Sequence, residues 1–132
     1  HPQKAVEYMT KAIKLKPDFY LAYYYRSTMK HSTGDVDGAI ADMNKTIQLK
    51  NDFINAYYYR ALFYGDNKQY QKAIEDFTKT IELKNDHAKA FLYRGIYERT
   101  LNLNETACED FNKAKELGEA SAQTYIDKYC KE

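Results

Sequence analysis

Tryptophan is absent from this chain, and so is an excess of charge of either sign: 20 Lys and Arg stand against 19 Asp and Glu, a net charge of +1. A nucleic-acid or anionic-membrane partner would call for a basic stripe, and this balance gives no reason to expect one. No apolar run approaches the roughly 18 residues of a membrane span, so no membrane insertion is expected. The phosphate loop, the nucleophile elbow and the nucleotide-binding glycine fingerprint are missing too. His1, His31 and His87 stand apart, with no Cys or carboxylate at metal-ligand spacing, and neither a metal nor a cofactor is expected. Acidic residues are scattered, mostly near a Lys, as on a solvated helix surface. With no recognisable catalytic part, the chain reads as a non-enzyme. It opens on HPQKAVEYM, without an initiating Met or a signal sequence, and so reads as an excised piece of a longer polypeptide.

What is present is the composition of a folded protein, 44% hydrophobic and 30% charged, with 14 tyrosines. Rings at that density belong to a core or an interface, since each can bury about 150–250 Å². They are placed regularly. AYYYR occurs at Ala22–Arg26 and at Ala56–Arg60, and AFLYR at Ala90–Arg94, each copy 34 residues after the last. The same step aligns Ala5, Ala39, Ala73 and Ala107, then Met9, Met43, Phe77 and Phe111, then Leu15, Leu49, Leu83 and Leu117. One fixed period of this length signals stacked supersecondary units. Within a unit the apolar residues keep helical spacing, as do Val36, Ala39, Ile40, Met43 and Ile47. KPD, STGD, KND and LGE interrupt the pattern, offering Asp and Asn as N-caps and Gly as a terminator. The spacing predicts about seven helices of about 12–15 residues, paired into hairpins.

These features resemble the tetratricopeptide repeat family: a 34-residue helix–turn–helix unit with Ala and Tyr early in the first helix, and Ala then Phe or Met in the second. The resemblance implies an all-α, right-handed helical solenoid of antiparallel helix pairs. Residues 1–19 match a second helix only and form a leading half repeat. Full repeats follow at 20–53, 54–87 and 88–121, and residues 119–132 resemble the capping helix that often closes such arrays. Tyr23, Tyr57 and Phe91 stand where the family often has Trp, and Asn51 and Asn85 replace its closing Pro.

Successive residues of the pentamer point about 100° apart, so its rings serve different surfaces. Tyr23, Tyr57 and Phe91 are expected between paired helices; Tyr24, Tyr58 and Leu92, with Tyr25, Tyr59 and Tyr93, turn toward a groove. At helical spacing that groove holds Leu21, Tyr24, Tyr25, Thr28, Asn55, Tyr58, Tyr59, Leu62, Lys89, Tyr93 and Ile96. Arg26, Arg60 and Arg94 each precede an aspartate by 16 residues, namely Asp42, Asp76 and Asp110, which sets the two on facing antiparallel helices. A guanidinium sunk among rings needs a partner, and a bidentate carboxylate suits it. These three pairs are expected to be structural.

Two functions of different class follow. Either the groove takes an extended peptide or a helix of a partner protein, with aromatics, amides and one cation as contacts, or the array is a structural spacer or self-association segment whose groove holds nothing specific. Some members of the family grip C-terminal carboxylates of chaperone tails with Lys, Asn and Arg from successive first helices. The corresponding positions here hold Tyr24 and Thr28, then Tyr59, then Lys89 and Tyr93. Lys89 alone fits, and a chaperone tail is disfavoured. At the N-terminus, Val6, Met9 and Ile13 form an apolar stripe on a helix without its partner, a surface for a homodimer or for an upstream repeat. At the other end Cys108 and Cys130 lie 10 residues before and 12 after Gly118, on the same end of a terminal hairpin. They are placed either for a disulfide or as two buried thiols.

Overall fold

The computed structural model of the chain describes residues 1–130. Among them every regular element is a helix: α1 Pro2–Leu15, α2 Tyr20–Ser32, α3 Val36–Leu49, α4 Ile54–Asp66, α5 Tyr70–Leu83, α6 Ala88–Thr100, α7 Asn104–Glu116 and α8 Ala122–Tyr129. That exceeds the expected count by one, because the short α8 stands apart after the third hairpin. The cap expected over 119–132 is helical only across α8, and Lys131 and Glu132 lie outside the described residues.

Hairpins form between α2 and α3, α4 and α5, and α6 and α7. They stack through α3 on α4 and α5 on α6, with α1 laid on α2 and α8 on α7. The result is a helical solenoid of helix pairs. Its hairpin turns are built alike. Gly34, Lys68 and Asn102, one per unit, adopt φ of +91°, +61° and +64°. Behind them the N–H of Asp35, Gln69 and Leu103 donates back to the carbonyls of Lys30, Tyr64 and Glu98 at 2.9, 2.9 and 2.8 Å, closing the helix end with a left-handed residue.

The KND turns do not cap the next helix as the sequence suggested. Asp52 and Asp86 pair with Lys50 and Lys84 instead, and the N-cap positions of α2, α4 and α6 are Phe19, Phe53 and His87. Phe53 packs edge-on against Tyr20 and Tyr24, at 5.4 and 4.9 Å between centroids, while His87 lies 4.7 Å from Tyr58. Burying a ring in the joint between hairpins contributes more than the ~1 kcal/mol of a polar cap. Side-chain caps survive at Asp35, which accepts from the Gly38 N–H, and at His87, whose Nδ1 accepts from the Ala90 N–H.

Alanines bring the helices close. Ala39, Ala73 and Ala107 are fully buried, as are the ring or sulfur partners Met43, Phe77 and Phe111. Gly95 lets α6 approach α7, since a Cβ there would lie 2.7 Å from the Phe111 ring. The first unit solves the same position with Ser27, whose hydroxyl donates to the Ala39 carbonyl at 2.6 Å. α1 buries nothing completely. Its Val6, Met9 and Ile13 are half-covered by α2, so the bare stripe expected there is displaced to the outer flank. Tyr8 and Leu15 carry that exposure, at 66% and 89%.

Candidate functional site

Each arginine of the pentamer makes the same three-way contact. Arg26 Nε and Nη2 donate to Asp42 Oδ2 and Oδ1, and Arg60 and Arg94 do so to Asp76 and Asp110, every bond 2.7 Å long. The three carboxylates are buried. The remaining Nη1 reaches into the preceding unit, to Thr10 Oγ1 at 3.3 Å, Asn44 Oδ1 at 2.9 Å and Thr78 Oγ1 at 3.2 Å. Rings from the start of the pentamer lie against the guanidinium carbons: Tyr23 at 5.6 Å, Tyr57 at 5.8 Å and Phe91 at 5.5 Å. Bonding to Asp42 and Asp110 raises the pKa of Arg26 and Arg94, while burial raises that of Asp76 against the pull of Arg60.

Tyrosines form an unbroken row across α2, α4 and α6. Ring centroids step 5.2 Å from Tyr25 to Tyr24, 6.1 Å to Tyr59, 5.2 Å to Tyr58 and 6.4 Å to Tyr93. Exposure alternates along it. Tyr25 is 49% exposed and Tyr59 and Tyr93 are half-buried, whereas Tyr24 and Tyr58 retain 8% and 9%. The last two were expected to wall a groove and belong to the core instead. Phe53 and His87, folding in from the turns, close over them, and burial pushes both phenols up in pKa. Beside the row Leu21, Thr28, Leu62 and Ile96 are half-buried, and Asn55 and Lys89 are exposed. Lys89 Nζ stands 3.4 Å from Glu119 Oε1, which neutralises the one cation expected on this face. His31 Nε2 meets Asp66 Oδ2 at 2.6 Å across the same joint, stacked 4.3 Å over Phe63.

Glu98 escaped the sequence reading. It sits four residues after Arg94, is 8% exposed, and its Oε1 has no hydrogen-bond partner among the described residues. Burial and then the Asp110 carboxylate push it up to about 8, so it keeps its proton at neutral pH. The signal was a column reading Lys30, Tyr64, Glu98, in which charge reverses from the first unit to the third. Near it Cys108 and Cys130 are disulfide-bonded, with Cα atoms 5.7 Å apart, tying α8 to α7. Tyr125 stacks on Phe111 at 5.1 Å, and the Arg99 guanidinium covers the Tyr129 ring at 4.1 Å.

A cleft of about 680 Å³ lies by that disulfide and away from the tyrosine row, lined by Asn104, Glu105, Cys108, Glu109, Asn112, Tyr129 and Cys130. It is broad and gathers no buried charge, and solenoids bind along extended faces rather than in cavities. Among the described residues no group of His, Cys, Asp and Glu is placed to hold a metal, and no helix is long and apolar enough to cross a membrane.

Stacked helix pairs on a 34-residue period, jointed by a repeated Arg–Asp contact, define a helical-repeat solenoid. Residues 54–87 and 1–19 each match a tetratricopeptide repeat model, and these two matches support the tetratricopeptide repeat family, a family of non-catalytic interaction scaffolds. A crystal structure of MamA is similar over 92% of this chain and 71% of its own, with a TM-score of 0.87 at 29% identity. The first tetratricopeptide domain of Spaghetti (RPAP3), bound to the HSP90 peptide SRMEEVD, shares the fold at a TM-score of 0.80 and 22% identity, over 84% of this chain and 90% of that one. YrrB, described as having an unusual peptide-binding site, does so at 0.77 and 24%, over 86% and 59%. No curated protein matches the chain.

Proposed function

We propose that the chain is a non-catalytic interaction module that binds a segment of a partner protein along the α2–α4–α6 face. The observation that carries this reading is the tyrosine row, in which the exposed Tyr25 and the half-buried Tyr59 and Tyr93 rest on buried rings at Tyr24 and Tyr58. A tyrosine held by its neighbours gives up little rotamer freedom on binding and offers a large apolar area with a polar tip. Tyr25, Tyr59 and Tyr93 are then the anchors, Asn55 and Lys89 the polar contacts, and Leu21, Thr28, Leu62 and Ile96 the flanks. Tyr24 and Tyr58 act from below by holding the anchors in place. The RPAP3 and YrrB structures show the same fold with a peptide or a peptide site, and support the reading as analogues of shape. With a net charge of +1, a nucleic-acid partner is not part of it.

A second reading, self-association through the N-terminal helix, is favoured by the exposure of Tyr8 and Leu15. Random-peptide display on the immobilised chain separates the two. Enriched peptides should bind the parent and lose at least about tenfold in affinity to Tyr25→Ala or Tyr93→Ala. No enrichment, together with a concentration-dependent dimer abolished by a Tyr8→Ala, Leu15→Ala double change, would transfer the function to α1.

A further inference from the structure

We propose that the ligand of this face is a proline-rich segment in the polyproline II conformation, an inference that rests on the peptide-binding reading above. The charge on the face comes first. Lys89 stands beside Glu119, and Arg26, Arg60 and Arg94 are each paired with their own aspartate. An acidic tail would find no unmatched cation along the row, so the partner segment is not acidic where it touches.

Hydrogen bonding narrows it further. The face is made of three helices, whose backbone groups are paired within each helix, so there is no strand edge on which an extended peptide could add its N–H and C=O groups. What the face does offer is phenolic O–H groups: among the described residues the hydroxyls of Tyr25, Tyr59 and Tyr93 form no hydrogen bond within the chain. A proline-rich segment is the complementary case. It has few N–H donors to satisfy, its backbone carbonyls project outward as acceptors, and its rings are flat apolar plates that lie on aromatic faces.

Spacing agrees. The legs of the row bound the distance between its outer rungs: 5.2 and 6.1 Å from Tyr25 through Tyr24 to Tyr59, and 5.2 and 6.4 Å from Tyr59 through Tyr58 to Tyr93. Neighbouring rungs thus lie no more than about 11–12 Å apart. One turn of polyproline II rises about 9 Å in three residues, a repeat that this bound admits. Its preformed conformation also spares the ordering cost that a flexible peptide would incur.

The test is titration of the chain, followed by NMR shifts, with four probes: decaproline, a Gly-Ser peptide of equal length, the acidic peptide SRMEEVD and an amphipathic helical peptide. Decaproline should bind, the other three should not, and the shifts should centre on Tyr25, Tyr59 and Tyr93. Tyr25→Ala and Tyr93→Ala should each weaken binding by about tenfold or more, and the Tyr→Phe changes by about three- to tenfold through loss of the donor. Added salt should leave the affinity unchanged. Tyr25 is half exposed, so its replacement leaves the fold intact, and circular dichroism of each variant verifies that. Binding of the acidic or helical probe with decaproline silent, and sensitive to Tyr25→Ala, would overturn the proline assignment and keep the face as a peptide site. Silence of all four, with no displayed peptide whose capture depends on Tyr25, would remove both.

Discussion

In α2, the residue four places after the pentamer arginine is Lys30, whose Nζ lies 3.1 Å from Asp42 Oδ2 and adds a second cation to that carboxylate. In α6, the same place holds Glu98, driven by burial and by Asp110 to keep its proton. The ends beyond these two hairpins differ as well. Met9 and Ala12 of α1 are half-exposed, while Phe111 and Ala114, at the same places in α7, are sealed under α8. The contrast teaches that one arginine–aspartate joint tolerates opposite neighbours if its surroundings are dry enough to neutralise the wrong charge. A wet N-terminal end can use only the cation; a closed C-terminal end can hold a protonated acid.

The largest test of this contrast is truncation at one column. Phe111→Ala should cost about 4 kcal/mol in urea unfolding and Met9→Ala about 1, because only the first opens a cavity in a sealed layer. Equal losses would mean the ends are packed alike. Opening the disulfide comes next. Reduction, or Cys130→Ser, should remove about 3 kcal/mol by the chain-entropy model for a closed loop of 22 residues. Hydrogen exchange should then quicken in α8 and the end of α7 while α2 keeps its rate; uniform quickening would contradict a local latch.

Smaller, and specific to the third hairpin, is a pH effect. Between its ordinary value of 4.5 and about 8, Glu98 is protonated when folded and ionised when unfolded. The folded state therefore binds more protons, and stability falls as pH rises through that window, by on the order of 2–4 kcal/mol in all. Urea midpoints at pH 5, 7 and 9 should decline in the parent and flatten in Glu98→Gln, with Lys30→Gln keeping the parent's slope. A parent already flat across that range would show Glu98 to be ionised in the fold.

The solenoid was legible because its period recurs at many columns, each weak alone. The arginine and aspartate could be paired from a separation of 16 residues, since a hairpin of two helices returns the chain to that point. Tyr24 and Tyr58 were misplaced for a physical reason. Helical angles fix where a ring points, and not how far a turn from the next unit folds over it. Phe53 and His87, whose neighbours look like capping signals, do that covering. Glu98 was invisible because a single acid on a helix reads as solvated until the structure supplies its burial.

The contact each arginine makes behind itself gives the array a direction of growth. Thr10, Asn44 and Thr78 each receive an Nη1 from the unit that follows, and the next residue in that register is Asn112. Asn112 donates its amide to the Cys108 carbonyl, 2.9 Å away in its own helix, and α8 packs on α7 beyond it. A 34-residue insert at either internal joint would find its socket ready and would add one more tyrosine rung. The same insert after α7 would find α8 and its disulfide in its path. Lengthening of such an array should therefore proceed by duplication from within, at the joints where each arginine already reaches back.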